Sequence, residues 1–460
     1  MQWPYMKLGA VACIGLITSA LSFNASATNG YFLIGYGAKS RGMGGVGVAK
    51  GQDGLAAAYN PATIGDTGSR FDLGFDYFRP VCRVSHSEGT LSETVIKEDC
   101  SGPSFAFGKD GNYILPNMGG NWKLSEKTSI GFAFIGNGAA AWFDQSLPPG
   151  NTSYFFNFNG LGGDDVVGVD LFQAQILPSV SYKFHKQHTI GASLVIGMQR
   201  FSARGLLAFE DLNLANGTSY ISNEGHDMSY GLGVRVGWQS KFMDEKLAIG
   251  LNYSPRVDMS EFDKYKNLFA EQGDFDIPEN YAIGIAYSAT PDIDIMFDVM
   301  RINYNDVASI GNPGPNAYDT TDFNPLCPGV DPPECKLGGD LGMGFGWSNQ
   351  TIYKLGLSYN LGAKWVLRAG YNYGEITIPD DQVLFNMLAP ATVEQHLTLG
   401  TTYVFDNGME LSGSYVHAFE NTISGPTTFP PPGSDPALVV DNAALSMKQD
   451  SLGVSLAWTF

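Results

Sequence analysis

The sequence predicts an all-β chain: a transmembrane antiparallel β-barrel of about 14 strands, plugged by its own N-terminal segment. Three observations lead there. The chain begins with an export signal. Of its 460 residues only 16% are charged, while 57 are glycine and 13% are aromatic, against a usual charged share near ~25%. From Arg70 onward, apolar residues alternate with small or polar ones at period two, in runs near the ~9–11 residues with which a tilted strand crosses a bilayer.

The export signal occupies residues 1–27. Lys7 is the only charge ahead of the apolar run Leu8 to Leu21, and Ala25-Ser26-Ala27 forms an A-x-A cleavage site, so the mature chain is expected to start at Thr28. The run is too short for a membrane helix, and Cys13 leaves with it. Four cysteines remain, in two local pairs within polar segments. In an exported chain these are expected to be the disulfides Cys82–Cys100 and Cys327–Cys335. Zinc is disfavoured because neither pair has C-x-x-C spacing and His86 is the only histidine near either. No metal or cofactor is expected. The net charge is −19, or −20 without Lys7, which argues against nucleic acid as a partner.

Residues 28–69 form the expected inner segment and 70–460 the barrel. Thr28 to Ala62 carries nine glycines between Gly30 and Gly54, then Ala56-Ala57-Ala58 and Asn60-Pro61-Ala62. Such a stretch can turn tightly and lie close to another surface, but it has few side chains with which to build a core of its own. Gly42-x-Gly44-x-x-Gly47 spells a dinucleotide fingerprint. That motif needs a strand before it and a crossover helix after it, whereas here alternating β-pattern follows.

The strands are read as 70–79, 112–124, 129–143, 168–184, 188–204, 226–240, 246–259, 279–289, 292–305, 350–361, 364–378, 393–405, 409–420 and 447–460. Tyr281, Ile283, Ile285 and Tyr287, alternating with Ala282, Gly284, Ala286 and Ser288, show the pattern clearly. Short turns such as Asp406-Asn407-Gly408 would be periplasmic. The long segments 80–111, 144–167, 205–225, 260–278, 306–349, 379–392 and 421–446 would be extracellular. The last strand alternates through Leu452, Val454, Leu456 and Trp458 and stops on Phe460, an aromatic end typical of a closing barrel strand.

The run NGYFLIGYGAKSRGMGGVGVAKGQDGLAAAYNPA, with Gly136-Asn137-Gly138 in the third strand and the segment PATVEQHLTLGTTYVF, resembles the long-chain fatty-acid and hydrocarbon transporters of Gram-negative outer membranes (FadL/TodX type). The resemblance covers nearly the whole mature chain. It implies an N-terminal hatch, a lumen pocket and lateral release through a gap in the wall where the third strand bends. Glycine inside a strand suits such a bend, which places the lateral opening at Gly136, Asn137 and Gly138. The other reading of the pair is that they are merely small inward-facing residues.

Two loops are candidates for an outer ligand groove: Leu206, Leu207, Phe209, Leu212 and Leu214 on one, and Phe262, Tyr265, Leu268 and Phe269 on the other. Apolar residues on exposed loops need a reason, and mutual packing is the other one open. Thr28, Asn29, Gly30, Tyr31 and Phe32 are expected at the hatch gate, with Asn60, Pro61 and Ala62 as its rigid anchor. Arg235, Lys354 and Arg368 alternate onto the lumen face, where they could meet a carboxylate or pair with acidic neighbours. The expected function is passive uptake of long-chain fatty acids, with monoaromatic or other hydrocarbons as the alternative and a diffusion porin or adhesin as a further one. The expected partners are a hydrophobic small molecule, outer-membrane lipid and lipopolysaccharide, with the chain acting as a monomer. No catalytic residues are expected, since the chain has six histidines and no G-x-S-x-G elbow, and a hydrolase would need a nucleophile with its base in reach.

Overall fold

A computed structural model describes residues 28–87, 95–99, 113–144, 166–211, 214–217, 219–314, 326–327, 332–383, 385–426 and 442–460. Its main sheet contains sixteen strand pieces, all paired antiparallel. Two reductions bring these to fourteen wall strands. Val95–Asp99 pairs only the outer end of the first strand. Val166–Ile176 and Ser179–Lys183 are one strand, because Phe134↔Ile176 and Gly131↔Ser179 share a single register across Pro178.

The wall runs β1 Arg70–Ser87, β2 Tyr113–Lys123, β3 Thr128–Asp144, β4 Val166–Ile176 with Ser179–Lys183, β5 His188–Arg204, β6 Asp227–Phe242 and β7 Leu247–Ser254. It continues as β8 Asn280–Thr290, β9 Ile293–Ile302, β10 Gln350–Leu361, β11 Trp365–Gly374, β12 Gln395–Val404, β13 Glu410–Pro426 and β14 Asn442–Thr459. β14 meets β1 at Trp458↔Phe71 and Lys448↔Val81, and this closes the barrel. Closure matters because backbone groups within lipid have no water to bond. Three outer ends run past the sequence expectation, whereas β7 stops at Ser254 and β11 at Gly374, short of residues 259 and 378. β1, β13 and β14 extend well past residues 79, 420 and 447, because cross-strand hydrogen bonding continues into what read as loop.

Period-two alternation becomes the two faces of the wall. On β8, Tyr281, Ile283, Ile285 and Tyr287 are exposed outward, whereas Ala282 and Ala286 are buried inward. The apolar face therefore meets lipid and the small face meets what fills the lumen.

The lumen is filled by the N-terminal segment, which is buried from Thr28 to Ala49 and again from Asp53 to Ile64. Inward glycines of the wall let it lie backbone against backbone. A Cβ at Gly237 on β6 would fall 1.9 Å from the Asn60 side-chain oxygen, and one at Gly370 on β11 would fall 2.2 Å from the Gly44 nitrogen. The Asn60 side-chain oxygen accepts from the Ala62 N–H at 3.0 Å, and its amide donates to the Val48 and Trp238 carbonyls at 2.8 and 3.0 Å. Asn60 thus caps the Pro61–Thr63 turn and ties it to the wall at once. Ion pairs add to this: Lys50 to Asp294 at 2.7 Å, Lys241 to Asp66 at 2.6 Å, and both Lys39 and Arg70 to Glu410.

Candidate functional site

Three features converge on one side of the barrel. The first is in the wall. β2 and β3 pair from Lys123↔Ser129 up to Met118↔Phe134, and the ladder stops there. Above that point β2 still pairs β1, through Tyr77↔Ile114 and Phe78↔Tyr113. β3 still pairs β4, through Gly136↔Ala174 and Gly138↔Phe172. The two strands therefore part from each other while each keeps its other neighbour.

The second feature is the start of the N-terminal segment, which takes up groups of β3. The Gly138 N–H donates to the Tyr31 carbonyl at 3.1 Å. The Asn137 side-chain oxygen accepts from the Leu33 N–H at 3.2 Å and from the Tyr36 hydroxyl at 2.8 Å. Its amide donates to Gln173 at 3.2 Å. Asn137 thus points into the lumen. Gly136 and Gly138 lie on the opposite, outward parity and have no positive φ, so the glycine pair is not inward-facing. The parting of the wall comes from the lost β2 ladder rather than from a left-handed glycine.

The third feature is an apolar pocket between these parts, with about 770 Å³ of empty space that is partly open to the outside. It is lined by Thr28, Gly30 and Leu33 of the segment, Leu115 of β2, Asn137 to Ala141 of β3, and Asp170 to Phe172 of β4. Phe78, Pro80, Tyr113, Met447, Gln449 and Ala389 to Ala391 complete it. No lysine or arginine is among the lining residues described. Asp170 is the one charged group there, and it is held by Arg200 at 3.2 Å and His226 at 3.1 Å. Thr28 bonds Gln449 across the pocket at 3.2 Å. Such a concave, mostly apolar site with a few polar groups suits a hydrophobic ligand.

The loop candidates lie above this pocket. Leu206, Phe209 and Leu214 are buried, Leu207 is partly buried, and Leu212 lies outside the described residues. Phe262, Tyr265, Leu268 and Phe269 are buried too. They pack around Phe201, with ring centroids 4.6 Å from Phe269 and 4.8 Å from Tyr265. Phe269 reaches Phe275 at 4.9 Å, and Phe275 reaches Tyr31 at 6.2 Å. An unbroken line of aromatic side chains therefore joins the outer loops to the start of the N-terminal segment. Tyr304 supports that start, donating its hydroxyl to the Asn29 carbonyl at 2.8 Å. Phe32 is buried against Tyr31 and Tyr304.

The lumen cations are placed elsewhere. Arg235 donates to the Ala58 carbonyl, Lys354 to the Ile34 carbonyl at 2.9 Å, and Arg368 to Thr402 at 2.6 Å. All three are buried; Arg235 and Lys354 serve the N-terminal segment, while Arg368 bonds within the wall, from β11 to β12. Cys327 and Cys335 are bonded to each other. Cys82 is in a disulfide, and its expected partner Cys100 lies outside the described residues. In the sequence reading Leu115, Pro116, Tyr113, Asp170 and Met447 were not singled out. Pro116 inside an otherwise regular strand was the available signal, since proline belongs at a sheet edge.

Residues 13–428 match the family described as "Outer membrane protein transport protein (OMPP1/FadL/TodX)". No curated protein sequence matches the chain. Among solved structures, it is similar to the Pseudomonas putida toluene transporter TodX, with 18% identity, TM-score 0.62, and coverage of 93% of this chain and 99% of that one. It is also similar to a Pseudomonas aeruginosa FadL homologue, with 12% identity, TM-score 0.63, and coverage of 94% and 100%. The Ralstonia pickettii toluene transporter TbuX gives 16% identity, TM-score 0.59, and coverage of 93% and 99%. The match over most of the chain and the shared fold assign it: this chain belongs to the OMPP1/FadL/TodX family of Gram-negative outer-membrane transport proteins, β-barrel channels for hydrophobic compounds.

Proposed function

We propose that the protein takes up neutral hydrocarbons, monoaromatic compounds among them, and releases them sideways into the membrane between β2 and β3. The observation that carries this is the pocket lining: it is apolar, its one charged group is the Asp170 carboxylate, and no lysine or arginine is among its described residues. A carboxylate ligand would meet like charge there, and the Arg200 guanidinium beside the pocket is already paired with Asp170. Two of the similar structures are described as toluene transporters, which agrees with this reading. Ligand would collect from the lipopolysaccharide side at the loop cluster, pass along Phe269, Phe275 and Tyr31, and enter the pocket. The residues 28–69 act as a hatch that keeps the lumen shut to water, and a single chain is sufficient for transport.

Long-chain fatty acid is the second reading, and Arg200 favours it. Its guanidinium sits 3.2 Å from Asp170 beside the pocket, where a fatty carboxylate could compete for it.

Uptake of radiolabelled toluene and oleate by cells producing the protein tests both. Gly136→Val is the variant of choice for closing the exit, because a Cβ there makes only ordinary contacts, with the Phe172 ring at 3.4 Å and the Gln173 carbonyl at 3.8 Å. At Gly138 a Cβ would strike the Leu171 carbonyl at 2.5 Å. Toluene uptake is expected to exceed the no-protein control, to fall with Gly136→Val, and to survive Arg200→Gln. Oleate uptake lost with Arg200→Gln would instead establish the fatty-acid reading. Normal toluene and oleate uptake through Gly136→Val would overturn lateral release.

A further inference from the structure

We propose that the opening in the wall is held by two residues on successive rungs of the missing ladder. Pro116 lacks the N–H that the next rung requires, and the Tyr31 carbonyl captures the N–H that the rung after it requires. This rests on the lateral-release reading for its importance to transport, but not for its geometry.

In an antiparallel pair, residues one apart aim their backbone groups at opposite neighbours. Ala133 and Leu177 exchange both hydrogen bonds, at 3.3 and 2.8 Å, so odd residues of β3 face β4. Even residues of β3 therefore face β2. The turn agrees, since the Leu124 N–H donates to the Thr128 carbonyl at 3.0 Å. Even residues of β2 accordingly face β3. The register Met118↔Phe134 makes Pro116 and Gly136 the next hydrogen-bonded rung, and Ile114 and Gly138 the one after.

Pro116 has no N–H to give at the first of these. The same parity explains why β1 is undisturbed: Phe75↔Pro116 is in register, and the proline nitrogen faces away from it. At the second rung, the Gly138 N–H is already bonded to Tyr31 at 3.1 Å.

Pro178 shows that one proline is not enough. It stands inside β4 facing β5, and the wall continues past it in register, with the Leu194 N–H still donating to the Pro178 carbonyl at 3.0 Å. A lone missing donor costs a single hydrogen bond. Two losses on consecutive rungs leave nothing to bring the strands together again. Pro116 and Tyr31 are thus positioning residues, acting on the opening through the backbone of β3.

Amide exchange of the purified barrel in lipid nanodiscs, read by NMR, tests this together with toluene uptake. With Pro116→Val the new N–H can donate to the Gly136 carbonyl and draw the strands together, so the Gly136 N–H donates in turn to the residue-116 carbonyl. The Gly136 amide is then expected to exchange at least about tenfold more slowly, and toluene uptake to fall. Deleting Thr28 to Tyr31 alone should speed exchange at Gly138. Combined with Pro116→Val it should slow again, as the Ile114 carbonyl takes the N–H. Pro178→Val, in a wall already closed, should leave uptake unchanged. Unaltered Gly136 exchange in both Pro116→Val and Pro116→Ala would overturn the proposal. A protected Gly136 with undiminished uptake would leave it standing and would remove lateral release instead.

Discussion

The Gly138 amide hydrogen bonds to the Tyr31 carbonyl, 3.1 Å away, where the neighbouring wall strand would otherwise supply its partner. A segment of the lumen has replaced a strand of the wall over one rung. Tyr31 is therefore part of the wall opening, and its position and that of β3 are coupled.

Asn137 is the side chain that holds the two together. Asn137→Val removes the acceptor for the Leu33 N–H and the Tyr36 hydroxyl, both buried. Two orphaned donors cost about 1–3 kcal/mol each. Amide exchange at Leu33 is expected to rise while the midpoint for unfolding the whole barrel changes little, because the strand ladders do not depend on it.

Gly237 is where the Asn60 turn of the N-terminal segment presses on the wall. Gly237→Ala places a Cβ 1.9 Å from the Asn60 side-chain oxygen. The Asn60 bonds to Val48 and Trp238 must give way, at about 1–3 kcal/mol for the overpacking. A lower denaturant midpoint in detergent is expected, with partial restoration by Asn60→Gly, which removes the clashing atom.

The loop bearing Phe262 to Phe275 should be sensitive to pH. Burial and the neighbouring Asp276 carboxylate, with a further push from Glu271, raise the Asp274 carboxyl to about 8, against the pull of Arg256. Asp276 is the partner that sits against Arg256, at 3.2 Å. Because the folded value lies above the ordinary carboxylate value, the acid form favours the folded loop. Its contribution is complete below the ordinary carboxylate range and is lost as the pH rises through about 8. Limited proteolysis of the loop is expected to accelerate between pH 5 and pH 9, about one exposed carboxylate's effect, and Asp274→Asn should flatten the profile.

Processing is checked by intact mass and peptide mapping. The mature protein is expected to begin at Thr28, whose side chain already bonds Gln449, and to yield the linked peptides Cys327–Cys335 and Cys82–Cys100 without reduction. A chain retaining residues 1–27 would displace the segment that lines the pocket, and its toluene uptake is expected to be lost.

The sequence by itself determined the β-barrel and close to the correct span of every strand core. It did so because period-two alternation is a local property: an apolar residue such as Ile283 faces lipid whatever its neighbours do, and Ala282 faces inward for the same reason. Gly-rich spacing likewise marked 28–62 as a segment that needs another surface. The site was only half legible. Gly136, Asn137 and Gly138 stand where the β2–β3 ladder has ended, and Tyr31 bonds Gly138 there, but the reason for the opening lies on β2. Pro116 acquires meaning only when the register with β3 shows which way its missing N–H points. The loop residues Phe262 and Phe269 could read as a ligand groove or as mutually packed, and only the structure shows what buries them: Phe201, some sixty residues earlier in the chain. Register, parity and non-local packing are properties of pairs of strands and loops, and only the tertiary structure brings those pairs together.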